Sequence, residues 1–155
     1  RDLHRLIRRQ RQMCIRDSQK EVPLLIKELL NLNYTVLIET NGSIPINIID
    51  SNAVRIMDIK CPSSGMTDRM DFENLSRLTE KDELKFVIGN RDDYEWVKKI
   101  LRDYDVYKFS HISFLPVYGS LRSSELAEWI LKDELKVRLQ LQIQKYIWGY
   151  QARGR

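Results

Sequence analysis

The chain has 155 residues, 43% of them hydrophobic and 31% charged, with a formal net charge of +4, which suits one globular domain with enough chain to bury a core. No apolar run approaches the ~20 residues of a membrane-spanning helix, and no stretch reads as a signal peptide. Cys14 and Cys61 form neither a CxxC nor a metal-ligand spacing, so a reducing, cytoplasmic setting away from membranes is expected.

The excess charge sits at the start. Residues 1–18 hold six Arg (Arg1, Arg5, Arg8, Arg9, Arg11, Arg16) and two Asp (Asp2, Asp17), and the 20 basic and 20 acidic residues that remain cancel. A phosphate-binding patch would therefore rest wholly on residues 1–18. That segment reads as non-native. Met13-Cys-Ile-Arg-Asp-Ser18 back-translates as ATG TGT ATA AGA GAC AG plus one base, a string that resembles a transposon-end adapter. On that reading His4 and Cys14 have no functional meaning. The other reading is an Arg-rich helix with Leu3, Leu6, Ile7 and Ile15 along part of one face.

From Glu21 onward, helical and extended patterns alternate. Residues 22–31 predict a helix, with Pro23 in the first turn, where its missing N–H is tolerated. Residues 34–39 are a nearly continuous apolar run, the pattern of a strand buried on both faces. Residues 55–59 predict a second strand, and Asp71 caps a short helix to Leu78. Residues 84–88 are a third strand. Asp92 is placed to cap a helix whose apolar face is Tyr94, Val97, Ile100, Leu101 and Tyr104. Residues 111–115 are a fourth strand, and Ser124 caps a helix through Leu126, Trp129, Ile130 and Leu135. Residues 137–143 alternate strictly, as a fifth strand does. Asn41-Gly42 between apolar runs is also a hairpin signal, so residues 35–49 have two readings. Pro45 suits a loop or an edge better than a central strand.

Strands separated by helical stretches imply an α/β fold with a parallel sheet and ligands at the carboxyl ends of its strands. Gly42, Gly65, Gly89 and Gly119 each fall just after a predicted strand. Nothing divides residues 19–155 into two domains.

Several groups near those strand ends carry chemistry. Glu39-Thr-Asn-Gly42 offers a carboxylate, a hydroxyl, an amide and a glycine that lets backbone approach a ligand, or it is a plain turn. Asp58 and Lys60 share one strand face. They suit a nucleoside or amino-acid group that accepts from Lys60 and donates to Asp58, or an ion pair with each other. Cys61 reads as a small buried residue. Leu115-Pro-Val-Tyr118 breaks its strand at Pro116 and offers Tyr118 as a ring to stack on adenine, or as a rim aromatic. His111 begins that strand and reads as structural. Asp92-Asp93 fits helix capping better than a metal pair, and Trp96 and Trp129 fall on packing faces. No Ser-His-Asp, Cys-His or zinc arrangement, P-loop or GxGxxG occurs.

Taken together, Ile38-Glu-Thr-Asn-Gly42, Met57-Asp-Ile-Lys-Cys-Pro-Ser-Ser-Gly-Met66, Leu84-Lys-Phe-Val-Ile88, Asp93-Tyr-Glu-Trp96 and Arg138-Leu-Gln-Leu-Gln142 with Lys145-Tyr-Ile-Trp148 resemble the 7-carboxy-7-deazaguanine synthase family of radical S-adenosylmethionine enzymes. The second of these runs is the specific one. The resemblance covers the chain from about Glu21 to its end. It implies an incomplete parallel (β/α) barrel of the radical S-adenosylmethionine type, with residues 19–155 as its C-terminal part and the N-terminal strands missing. It also implies a carbon–nitrogen lyase that converts 6-carboxy-5,6,7,8-tetrahydropterin to 7-carboxy-7-deazaguanine, on the way to queuosine and related deazapurines of tRNA. The cofactors implied are S-adenosylmethionine, a 4Fe–4S cluster and Mg2+. The partners implied are the pterin, a reductase or flavodoxin-type electron donor and a second copy in a homodimer, with no direct contact to nucleic acid. By position, the resemblance puts Thr40 on the pterin. It puts Gly42, Asp58, Ile59, Lys60, Leu115, Pro116, Val117 and Tyr118 on S-adenosylmethionine. Gln144 stands where many relatives have His.

The front of the chain departs from that family. The CxxxCxxC motif is absent, as is the GGEP stretch expected just before Gln19, and with them go the magnesium ligand and most pterin contacts. A cluster needs several thiolates, so this chain alone is expected to be inactive and its complete parent to be the enzyme. Two other readings stand beside this one. An activase-type radical S-adenosylmethionine enzyme shares the strand-end logic but not the Lys-Cys-Pro-Ser-Ser-Gly-Met run. A non-catalytic α/β binding domain with a basic N-terminal arm is opposed by the zero net charge of the remainder.

Overall fold

The computed structural model describes residues 20–109 and 111–149, so the Arg-rich segment, with His4 and Cys14, lies outside the described residues. The elements are α1 (Val22–Asn31), β1 (Leu37–Thr40), β2 (Val54–Lys60), α2 (Asn74–Arg77), β3 (Glu83–Ile88), α3 (Arg91–Asp103), β4 (His111–Pro116), α4 (Ser123–Lys132), β5 (Arg138–Leu139) and α5 (Ile143–Trp148). The strands form one sheet in the order β1-β2-β3-β4-β5, parallel throughout. Parallel crossovers are right-handed. A strand order that advances one way therefore lays its crossover helices on the same face.

Side-chain alternation then sorts the two faces. Met57 pairs with Leu84 and Leu84 with Ile112, while Ile59 pairs with Phe86 and Phe86 with Phe114. All of these point one way and join one buried cluster with Ile26 of α1, Tyr94, Val97, Ile100 and Leu101 of α3, and Leu126 and Ile130 of α4. Tyr94 stands edge-on to Phe114 with ring centroids 6.1 Å apart, and lies 5.2 Å from Trp129. So α3 and α4 cover the face that carries Phe114. Each large apolar side chain sealed here contributes about 1.5–3 kcal/mol by leaving water.

A buried ion pair fixes the amino end of β2. Asp82 accepts from Arg55 N (2.8 Å), Arg55 Nε (3.1 Å), Thr79 N (2.7 Å) and Thr79 Oγ1 (2.9 Å), and pairs with Arg55 Nη2 at 2.5 Å. Burial pushes the Asp82 pKa up, but the hydrogen bonds from Arg55 and Thr79 outweigh it and hold the carboxyl below the usual carboxylate range.

Several sequence expectations are corrected. The run at 34–39 is not buried on both faces. Its strand, β1, is an edge that pairs only with β2 among the described residues, and Leu37 is 60% exposed. The hairpin reading of 35–49 also fails, because its second arm is a 3-10 turn at Ile46–Ile48 and not a strand; β1 pairs with β2, in parallel. Instead Gly42 turns out of β1 with φ +70°, and buried Asn74 gathers the loop that follows. Its Oδ1 accepts from Ile46 N (3.0 Å), and its Nδ2 donates to Gly42 O (3.1 Å) and Ile44 O (3.0 Å). The fifth strand shrinks from 137–143 to Arg138–Leu139. Gln140 N still donates to Phe114 O at 2.9 Å, but the next rung needs an N–H from Pro116, which has none. Ile143 opens α5 instead.

The helix caps differ as well. Asn90, not Asp92, caps α3, with Oδ1 accepting from Asp93 N at 2.9 Å. Helix α4 starts at Ser123 with no side-chain cap, so Ser124 is not one, and it ends before Leu135. Asp71 accepts from Glu73 N in a turn ahead of α2, at 3.1 Å, rather than capping a helix to Leu78.

Candidate functional site

Parallel register brings four strand ends to one rim. β1 ends at Thr40, β2 at Lys60, β3 at Ile88 and β4 at Pro116, and the pairs Lys60–Val87 and Ile88–Pro116 keep the last three level. Below the rim, on the face away from the core cluster, register lines up three rows. The lowest is Glu39, Ile56, Glu83 and His111; the next is Asp58, Lys85, Ser113 and Arg138; the top row is Lys60, Val87 and Leu115. A parallel sheet with helices on both faces is apolar on both. Here the second face carries charges that engage one another. Lys85 Nζ donates to Glu39 Oε1 at 2.9 Å, and Ser113 Oγ donates to Glu83 Oε1 at 2.8 Å. His111 lies in the row farthest from the rim, consistent with a structural place, and its Nδ1 is buried without a partner among the described residues.

Asp58 and Lys60 meet as the sequence spacing expects: Lys60 Nζ donates to Asp58 Oδ2. Their side chains are 29% and 31% exposed. Asp58 Oδ1 is buried and has no hydrogen-bond partner among the described residues. The pair therefore forms and still leaves one acceptor to fill.

The turn after β2 is held on all sides. Lys60 N donates to Met70 Sδ (3.1 Å), Thr67 Oγ1 to Lys60 O (2.9 Å), and Ser64 Oγ to Cys61 O (2.6 Å). Cys61 is fully buried. Burial, then the charges of Asp93 and Asp58, push its thiol far above the usual range, so it is neutral and inert. Asp93, in the first turn of α3, does not cap that helix. Its buried carboxylate accepts from Ser63 N (2.9 Å), Gly89 N (2.8 Å) and Ser63 Oγ. It thereby joins the loop after β2 to the end of β3. A cleft of about 380 Å³ opens at this joint, with Lys60, Ser63 and Ser64 on one side and Gly89, Asn90 and Val117 on the other.

The rest of the sequence-derived site divides. Leu115 is buried in the top row of the charge-bearing face, and Val117 lines the cleft. Tyr118 stands edge-on to Tyr146 of α5, with centroids 5.5 Å apart. Tyr146 Oη is 2.6 Å from Ser123 Oγ, so α5 braces the Tyr118 ring from the side. Ile59 and Pro116 are buried on the core side and reach the rim through backbone only. The Thr40 side chain is buried and accepts from Gly42 N at 3.1 Å. A Cβ on Gly42 would lie 2.9 Å from Met57 Sδ. Gln144 is an exposed residue of α5. Sequence reasoning missed Asp93, Ser63, the Gly89-Asn90 end of β3 and the Glu39–Lys85 pair.

Among the described residues, no group of three His, Cys, Asp or Glu can hold a metal ion, and no helix is long and apolar enough to cross a membrane. Cys61 is the single cysteine among the described residues, so they do not fit an iron–sulfur cluster, which needs several thiolates.

No family model matches the chain. It is 37% identical over 150 residues to the 7-carboxy-7-deazaguanine synthase of Koribacter versatilis, covering 88% of this chain and 66% of that protein. With the synthase of Chlorobaculum tepidum it shares 38% over 133 residues, 84% of this chain and 60% of the relative. With that of Leptospira interrogans it shares 40% over 120 residues, 74% and 49%. The resemblance thus takes in most of this chain, while the chain spans about half to two-thirds of the length of the curated relatives it matches.

Proposed function

We propose that this chain is the C-terminal part of a 7-carboxy-7-deazaguanine synthase and supplies the S-adenosylmethionine-binding rim of a barrel that the rest of the enzyme completes. The observation that carries the reading is the charged rim above a sheet face lined with charges, in a chain whose relatives bear this name. A one-way parallel strand order suits a segment of an incomplete radical S-adenosylmethionine barrel, because its helices lie outside and its polar face inside.

The rim residues fit a nucleoside that carries an amino-acid tail. Asp58 Oδ1 accepts a ligand hydroxyl or ammonium, and Lys60 donates to a carboxylate or ribose oxygen. Val87 and Leu115 form an apolar seat for a flat ring, with Tyr118 at its edge. Ile59, Pro116 and Val117 contribute backbone groups. Gly42 brings the β1 turn close to the ligand, and Thr40 lies toward the pterin. When bound, S-adenosylmethionine supplies the radical that starts ring contraction of the pterin with loss of ammonia. The described residues seat and orient it. The cluster, the magnesium and most pterin contacts belong to the remainder of the enzyme, so the chain alone is inactive. The complete enzyme takes electrons from a reductase or flavodoxin-type donor and works as a homodimer.

The test is a fusion of residues 21–155 behind the cluster-bearing part of the Koribacter versatilis relative, reconstituted without oxygen. The fusion is expected to convert 6-carboxytetrahydropterin to 7-carboxy-7-deazaguanine, whereas the chain alone, treated the same way, forms no deoxyadenosine. A folded, cluster-loaded fusion that cleaves S-adenosylmethionine but ignores the pterin supports the activase-type alternative. One that cleaves nothing refutes the assignment.

A further inference from the structure

The two stretches proposed to hold S-adenosylmethionine on β2 (residues 58–60) and at the end of β4 (residues 115–118) are not neighbours. β3 stands between them, so a ligand that touches both must cross its end at Gly89. Room there is limited. A Cβ on residue 89 would lie 2.8 Å from Ser63 Oγ and 3.2 Å from Asp93 Oδ2, so only glycine leaves the passage open. Ser63 N, Ser63 Oγ and Gly89 N all converge on the Asp93 carboxylate, which is fully buried. Asp93 itself is fixed from below: its N–H is held by Asn90 Oδ1 at 2.9 Å, and Tyr94 beside it is sealed in the core.

Only a carboxylate satisfies this arrangement. The two amide N–H groups approach different oxygens, Ser63 at Oδ1 and Gly89 at Oδ2. An asparagine in the same place turns an NH2 toward one of them, donor against donor, and that partly buried amide loses its acceptor.

We infer that Asp93 is a positioning residue of the cofactor site, setting the spacing between the Ser63 loop and Gly89, and hence the width of the passage over β3, without touching the ligand. The inference rests on reading the rim as the S-adenosylmethionine site.

The test uses the whole chain, with S-adenosylhomocysteine as a probe that needs no cluster. Binding is measured by equilibrium dialysis, and exchange of the Ser63 and Gly89 amides by NMR, for the wild type, Asp93→Asn and Ile100→Val. Ile100→Val thins the core on the same helix and serves as the stability control. Asp93→Asn is expected to weaken binding by roughly tenfold, the scale of a partly buried donor left without its acceptor, and to speed exchange at Ser63 or Gly89. Ile100→Val is expected to lower Tm and bind as the wild type does. Wild-type affinity in Asp93→Asn, or an equal loss in Ile100→Val, overturns the positioning role while the rim reading stands. A folded wild-type chain that binds no probe overturns the rim reading and this inference with it.

Discussion

At the amino end of β2, the Arg55 and Asp82 side chains are 5% and 0% exposed, and both carboxylate oxygens of Asp82 receive hydrogen bonds. At the carboxyl end of the same strand, the Lys60 and Asp58 side chains are 31% and 29% exposed, and Asp58 Oδ1 has no partner among the described residues. Removing one member of a sealed pair strands a buried charge. A half-exposed pair contributes little to stability, and an oxygen it leaves over is open to a ligand's donor. The first pair therefore belongs to the fold and the second to the site, although both join an aspartate to a basic side chain of β2.

Asp82→Ala breaks the sealed pair and is expected to have the largest effect, a loss of about 3–5 kcal/mol in urea unfolding. A loss under about 1 kcal/mol would put the two pairs in the same class. The acid limb sharpens the contrast. Because the folded Asp82 carboxyl lies below the usual range, its contribution is complete above the ordinary carboxylate pKa of ~3.9 and disappears as pH falls through the folded value. An Asp82→Asn variant that folds should therefore lose less stability than the wild type between pH 5 and the acid transition, a window roughly set by the same shift. Thermal melts across that range check the slope.

Gly89→Ala comes next. Its Cβ meets Ser63 Oγ and Asp93 Oδ2, so it is expected to cost about 1–3 kcal/mol as overpacking and to close the passage to S-adenosylhomocysteine. The smallest effect on stability is expected from Lys60→Ala, under about 1 kcal/mol, with affinity for the same probe falling roughly tenfold or more. If Lys60→Ala unfolds the chain as readily as Asp82→Ala and leaves affinity intact, the distinction between the two pairs is wrong.

How much was legible follows from what a sequence pattern records. Strands β2, β3 and β4 sit within a residue of their expected places, because alternation and the glycines that follow them mark both direction and end. β1 and β5 depart, because alternation records which way a side chain points and not whether anything covers it. The β1 edge leaves Leu37 in water, and Pro116 halts β5 from the neighbouring strand. Asp58 and Lys60 were visible because two residues of spacing suffice to place them on one face. Asp93 was not. Its donors Ser63 N and Ser63 Oγ lie 30 positions away, and an aspartate in a first helical turn has a ready local explanation. Glu39 and Lys85 are 46 positions apart. Parity alone, with charges at Asp58, Lys60, Glu83 and Lys85 all on one face, already marks the side of the sheet away from the apolar core.

The most direct test of the rim is a crystal structure of the chain with S-adenosylhomocysteine. Density is expected across the carboxyl ends of β2, β3 and β4, with a ligand donor on Asp58 Oδ1, Lys60 on a ligand oxygen and the flat ring over Val87 and Leu115. A ligand bound at the opposite end of the sheet, near Tyr107 and Phe109, or crystals of folded chain whose rim stays empty at saturating probe, would contradict the account.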